Sequence, residues 1–213
     1  MTQPFQNRRE AGRLLARKLR HYSGREAVVL GLPRGGVVVA FEVAEALRLP
    51  LDVLIVRKLG VPGHKELAMG AIASGGVRVV DERIVQDLGI EPADIEYAVR
   101  LESEEIRRRE MLYRGDRAPL EVKGKTVILV DDGLATGSTM MAAVRAIRRS
   151  GPRHITVAVP VGAPSTCAAF KSEADEVICA ETPPDFQAVG LWYLEFGQTS
   201  DEEVKDLLRA AAH

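Results

Sequence analysis

A chain of 213 residues suits one domain, or one domain with a substantial insertion. Hydrophobic residues make up 46% and charged residues 28%, and the formal net charge is −1, so a sizeable core is available and no global basic field recruits nucleic acid or an anionic membrane. No apolar run approaches the ~20 residues that span a bilayer, and the opening MTQPFQNRREAGRLL is too polar for a secretory signal.

In chain order, NRREAGRLLARKLRHY places Ala11, Leu14, Leu15, Lys18 and Leu19 on one face of a helix. AVVLGL reads as a short buried strand closed by Pro33 and an Arg34-Gly35-Gly36 turn. VVVAFEVAEALR returns as a helix and LDVLIVRKLG follows as a second aliphatic strand. Strand, helix, strand at this spacing is a βαβ unit, whose parallel strands are buried on both faces and therefore continuously apolar. Residues 60–80 are glycine-rich and predict a loop followed by a short hairpin around Gly75-Gly76. EPADIEYAVRLESEEIRRREMLYR is a charged helix with Pro92 in its first turn and i,i+4 pairs Glu104/Arg108 and Glu105/Arg109.

KTVILVDD is the third strong strand, and the helix GSTMMAAVRAIRRSG after it is stopped by Gly151 and Pro152. HITVAVPVGAP and DEVICAETPP are two more strands flanking a helix at 164–172. SDEEVKDLLRAAA closes as a helix with a Ser200/Glu203 capping box. Cys167 and Cys179 form no CxxC pair and sit in apolar surroundings, which reads as two reduced packing residues. His21, His64, His154 and His213 show no metal-ligand spacing, and most of them read as solvated. The expected architecture is α/β: an open, mostly parallel twisted sheet flanked by helices, in a soluble, cytoplasmic protein.

The stretch VILVDDGLATGST carries the chemistry. In open α/β sheets ligands bind outside the carboxyl ends of the strands, and Asp131 and Asp132 end a strand there. Two adjacent carboxylates repel each other, so stability alone does not account for them. Ala135-Thr136-Gly137-Ser138-Thr139 then leads into a helix, offering backbone N–H groups, hydroxyls and the positive helix terminus to a phosphate. The carboxylates would repel a phosphate and suit neutral donors such as sugar hydroxyls, so together the two groups propose a sugar phosphate. Gly133 and Gly137 are too close for a Walker A loop, and no Lys follows Gly137.

VILVDDGLATGST resembles the signature of type I phosphoribosyltransferases, which bind phosphoribosyl pyrophosphate. The resemblance implies that Asp131 and Asp132 hold the ribose 2′- and 3′-hydroxyls and that residues 135–139 hold the 5′-phosphate. GLPRGGVVVA resembles the family's pyrophosphate loop, which assigns Arg34, Gly35 and Gly36 to the diphosphate. Glycine permits the close backbone approach and Arg34 supplies positive charge. VRKLGVPG is similar to the segment leading into a mobile loop in adenine-type members, giving Arg57 and Lys58 the leaving group. It also places His64, Lys65 and Glu66 on a closing loop within 57–80. PPDFQAVGLWYLEF resembles the hood of hypoxanthine-guanine members, within a hood and C-terminal helix at 181–213. Phe186 would stack on a base, Val189 would read its edge, Trp192 would lie alongside, and Glu195 is a loose match to the family's acid. The charged helix, within a helical insertion at about 81–113, has no counterpart in these motifs.

By resemblance the reaction is displacement of pyrophosphate from ribose C1 by a nitrogen nucleophile, a nucleobase of purine type. The catalytic set would be Asp131, Asp132, Arg34 and Lys58. Mg²⁺ is implied, bridging pyrophosphate and ribose oxygens with Asp131 and Asp132 as indirect contacts, and a homodimer is ordinary for the fold. The alternative is a phosphoribosyl-pyrophosphate- or nucleotide-sensing regulator, with Arg107-Arg108-Arg109 as an RNA contact. Glu104, Glu105 and Glu110 bracket those arginines and favour a solvated, salt-bridged helix.

Overall fold

In the computed structural model, residues 3–211 are described, apart from the side chains of Lys65 and Glu66. The expectation for His213 and the side-chain roles of Lys65 and Glu66 therefore lie outside the described residues. Five strands, β1 (Ala27–Gly31), β2 (Leu51–Val53), β6 (Thr126–Val130), β7 (His154–Val161) and β8 (Glu176–Glu181), form one sheet in the order β2-β1-β6-β7-β8. Every pairing in it is parallel.

Successive side chains point to opposite faces, and two separate cores result. Val29, Ile128, Val130 and Ala158 pack toward α1 (Arg8–Lys18), α2 (Gly35–Leu47) and α7 (Asp201–Ala210). Val28, Leu30, Val127, Leu129 and Val157 pack toward α5 (Ser138–Arg149) and α6 (Pro164–Ala169). Burial on both faces is why these strands read as unbroken aliphatic runs.

The expected single strand over 51–60 is two strands in two sheets. β2 ends at Val53, and β3 (Val56–Val61) turns away to pair antiparallel with β4 (His64–Ala73), which pairs with β5 (Arg78–Val80). The loop expected after residue 60 is a hairpin: Val61 pairs with His64 across Pro62-Gly63, with Gly63 at φ 76°. Proline preset for the first turn position and glycine for the left-handed second make that turn locally favourable. Gly75 and Gly76 form the second turn, as their sequence suggests.

α3 (Glu82–Asp87) and α4 (Pro92–Arg114) follow, with Asp81 capping α3 through Arg83 N and Ile84 N. On α4, Arg108 bonds Glu105 at 2.8 Å rather than the expected Glu104, and Arg109 bonds Glu105 at 2.6 Å. Both arginines together hold the Glu105 carboxyl down to about 2. Ser200 caps α7 by accepting from Glu203 N. No helix among the described residues is long and apolar enough to cross a membrane.

Cys167 and Cys179 are joined in a disulfide, against the expectation of two free thiols. Cys179 lies on β8 and Cys167 on α6, which packs on the same face of the sheet, so the connection that returns the chain to β8 brings them together. The bond closes a short loop, 12 residues apart in sequence, and loop-closure entropy predicts a loss of about 3 kcal/mol on reduction. Thermal melts with and without a thiol reductant, compared with Cys167→Ser/Cys179→Ser, check this; coincident melts would contradict it.

Candidate active site

Chain order sends β1 outward to β2, then across to β6 on the other side, so the sheet's topological switch lies between β1 and β6. A crevice opens at the carboxyl ends of the strands at such a point. Leu32 N donates to Val130 O at 2.9 Å and holds the two strand ends together. The Arg34-Gly35-Gly36 turn leaves β1 there, after a cis Pro33–Arg34 peptide, and Asp131-Asp132 leaves β6.

The two glycines exist at the expense of side chains that would not fit. A β-carbon on Gly36 would lie 2.8 Å from Asp131 Oδ1, and one on Gly35 would collide with Asp132 Oδ2. Both acids therefore press against the first turn of α2, whose positive terminus favours negative charge. Asp131 Oδ1 also accepts from Asp132 N at 2.8 Å. Burial, and next the neighbouring Asp132 carboxylate, push the Asp131 carboxyl well above the ordinary range; Asp132 N–H and Arg8 act in the opposite direction.

Two residues that sequence reasoning missed orient Asp132. Arg8 of α1 donates from Nε to Asp132 Oδ2 at 2.8 Å, and Tyr193 Oη donates to the Asp132 carbonyl at 2.5 Å. Burial, and then the charge of Asp132, push the Tyr193 phenol far up, keeping it a donor. One local signal pointed to Arg8. An arginine in the first turn of a helix opposes the macrodipole and needs a reason from outside the helix.

Residues 135–139 form the turn into α5. Ala135, Thr136, Ser138 and Thr139 are exposed, and Gly137 sits at φ 75° as a cap without a side chain to bond the first-turn N–H groups. The turn is fixed from behind: Leu134 N donates to Val161 O, Ala163 N to Leu134 O, and Thr166 Oγ1 to Ala135 O at 2.7 Å. A β-carbon at Gly137 would meet Phe170 at 2.7 Å. Gly137→Ala should cost about 1–3 kcal/mol through the left-handed backbone alone. It should also displace the turn, so the variant is checked by urea unfolding together with phosphate-ester binding.

Of the remaining candidates, Arg34 is half-buried with no ion-pair partner among the described residues. Arg57 and Lys58 do not point the same way. Adjacent strand positions face opposite sides; Arg57 bonds Glu102 of α4 at 2.6 Å, and Lys58 lines a cavity of about 330 Å³ with Asp81, Ser138, Met141 and Arg145. Lys58 thus lies on the side of the 135–139 turn. His64 is exposed. Phe186, Val189 and Trp192 are half-buried around Phe5, Val161 and Tyr193, and Val189 covers Gly133, whose β-carbon would lie 2.5 Å from Val189 Cγ1. Glu195 is exposed and accepts from Gln6 Nε2 at 2.7 Å. At the opposite end of the sheet His21 lies 3.4 Å from Glu176 and His154 3.2 Å from the Tyr22 hydroxyl, and all four line one cavity.

No group of three or more His, Cys, Asp or Glu side chains among the described residues could hold a metal. Two carboxylates alone fit a hard divalent ion that keeps its waters and takes most of its oxygens from a substrate.

The phosphoribosyl transferase domain model matches residues 5–193. A provisionally named Mycobacterium tuberculosis phosphoribosyl transferase, Rv0571c, is 47% identical over 207 residues, covering 97% of this chain and 47% of that protein. The chain therefore spans about half the length of these curated relatives. The crystal structure of TT1426 from Thermus thermophilus is 43% identical with a TM-score of 0.86, covering 96% of this chain and 97% of that one. A hypothetical protein from Neisseria gonorrhoeae, solved with bound ppGpp, shares the fold at 15% identity and a TM-score of 0.53, over 99% of this chain and 98% of that one. With paired acids at the switch point, a glycine turn against them and a small-residue turn opening the next helix, the chain belongs to the phosphoribosyl transferase domain family.

Proposed function

We propose that the chain binds phosphoribosyl pyrophosphate with Mg²⁺ and transfers the phosphoribosyl group to a nitrogen nucleophile of the nucleobase class, releasing pyrophosphate. The observation that carries this reading is the contact of the Asp131-Asp132 pair with the Gly35-Gly36 backbone, beside the uncapped terminus of α5. The ribose hydroxyls donate to the acids. The 5′-phosphate takes the N–H groups and hydroxyls of 135–139, with Lys58 and Arg145 adding positive charge beside Ser138. The pyrophosphate lies along Gly35-Gly36 with Arg34.

Displacement at C1 builds positive charge on the ribose ring. Asp131 and Asp132 face that charge, and Arg34 with the α2 terminus stabilises the departing anion. Mg²⁺, when bound, offsets the charge of the pyrophosphate, and Asp131 and Asp132 would hold it through water. Phe186, Val189 and Trp192 cover the acceptor side and exclude water. Of the three arginines Arg107-Arg108-Arg109 offered as an RNA contact in the alternative reading, Arg108 and Arg109 both bond Glu105, which leaves Arg107 as the exposed charge of the three without a salt bridge among the described residues and makes the enzyme the stronger reading.

Calorimetric titration of phosphoribosyl pyrophosphate with Mg²⁺ into the wild type and into Asp131→Asn/Asp132→Asn tests this. Binding in the wild type that is lost in the variant is expected, and a base screen for pyrophosphate release then follows. A folded wild type that does not bind overturns the reading.

A further inference from the structure

We infer that Arg8 is a positioning residue that couples the acidic pair to the hood, so that Asp132 keeps its orientation only while residues 193–197 are seated; this rests on the function proposed above. Three contacts converge on one guanidinium. Nε donates to Asp132 Oδ2 at 2.8 Å, Nη1 donates to Gly197 O at 2.7 Å, and the group lies 3.9 Å from the centre of the Phe196 ring. A planar guanidinium can stack and donate in two directions at once, which an ammonium cannot. The Arg8 and Asp132 side chains are only 12% and 18% exposed, so the pair is little screened by solvent.

The chain just before Arg8 is itself bound to the hood. Phe5 N donates to Trp192 O, Leu194 N to Phe5 O and Glu195 N to Gln6 O, all within 2.8–2.9 Å. Tyr193, between them, reaches the Asp132 carbonyl. The N-terminal strap, the hood and the ribose-facing acid are therefore one connected unit, and Gly35 lies against it: a β-carbon there would sit 2.8 Å from Arg8 Nε. An ion pair serving stability alone would not need a carboxylate that faces the ligand. Lifting the hood breaks the Gly197 and Phe196 contacts and frees the guanidinium, so closure of the hood and alignment of the acid become one event.

Trp192 is the only tryptophan and lies in the hood, so its emission reports hood seating without ligand. The test compares the wild type, Arg8→Ala, Arg8→Lys and Arg13→Ala by acrylamide quenching of Trp192 and by calorimetry with phosphoribosyl pyrophosphate and Mg²⁺. Arg13 lies on the same helix and pairs with Glu42, so its variant controls for general loosening of α1. Arg8→Ala is expected to weaken binding at least about tenfold, equivalent to ~1.4 kcal/mol, and to increase quenching in the ligand-free chain. Arg8→Lys, which keeps the charge without the fork, should bind with intermediate affinity and remain more quenched than the wild type. Arg13→Ala should match the wild type in both.

Wild-type affinity in the folded Arg8 variants overturns the positioning role, as does an equal loss in Arg13→Ala. Unchanged Trp192 quenching overturns the coupling. If Arg8→Ala does not fold, Arg8→Lys decides both points. A wild type that binds no phosphoribosyl pyrophosphate overturns the proposed function instead, and the quenching comparison still decides the coupling.

Discussion

Asp131→Asn is expected to raise the melting temperature of the ligand-free chain at neutral pH while removing the proposed binding of the sugar phosphate. The native site holds the Asp131 carboxyl well above its ordinary pKa, through burial and then through Asp132. Between the unfolded value of about 4 and the raised native value, the folded state binds more protons than the unfolded state. Stability must then fall as pH rises through that window. Asparagine carries no charge to desolvate, and its size is close to that of the acid. In a chain of this length each recovered kcal/mol shifts the midpoint by about 2–4 °C.

The measurement is a series of thermal melts from pH 4 to 8 for wild type and variant. The wild-type curve should drop below that of the variant as pH rises. Superimposed curves would show that the site does not strain this carboxylate. Gained stability with lost binding is the pattern of an acid kept for its ligand, because two like charges in contact are tolerated only where something else needs them.

Arg114→Met should produce the largest stability loss of any single change argued from this structure, about 3–5 kcal/mol. Arg114 ends α4 and is buried against Asp52 on β2, with Nε 3.0 and 3.1 Å from the two carboxylate oxygens. Its Nη2 donates to Val53 O at 3.2 Å, and Asp52 also accepts from Val53 N at 2.8 Å and Leu120 N at 3.1 Å. The pair thus ties three segments together: the end of α4, the outer strand of the sheet, and the loop leading toward β6.

Removing the arginine leaves a carboxylate 8% exposed without its counter-charge, which costs more than the pair itself contributes. Asp52→Leu/Arg114→Met should return part of the loss, and Leu120 N, left without its acceptor, prevents full recovery. Urea unfolding checks both variants at constant m-value. A loss under about 1 kcal/mol for Arg114→Met would mean that water reaches the site and screens the charge.

The elements that position the site were legible because each is governed by short-range rules. Periodicity distinguishes the buried strands β1, β6 and β7 from α2 and α5. The acid pair, the glycine turn and the turn at 135–139 are each contiguous within themselves, so the chemistry each offers can be read without a partner. Even the pressure on Gly35 and Gly36 was partly readable, although the sequence suggested a ligand's backbone approach and the structure adds the acids themselves.

Other features depended on which surfaces meet. The aliphatic run 51–60 contains no mark of the break at Leu54-Ile55, because hydrophobicity specifies burial but not the sheet in which a strand finds its hydrogen bonds. Arg57 and Lys58 look like a pair until a strand sends them to opposite faces, toward α4 and α5. Cys167 and Cys179 meet only because α6 packs over β8. Arg8 finds Asp132 across 124 positions, and Arg114 finds Asp52 across 62.

By itself, then, the sequence determined the two periodicities, the caps and the chemistry of the contiguous turns, all set by the sterics and solvation of neighbouring residues. Only the tertiary structure decided the second sheet, the disulfide, the buried ion pair and the latch on Asp132. Each of these is a contact between distant segments, and side chains that meet only after folding leave no periodic trace in the segments that carry them.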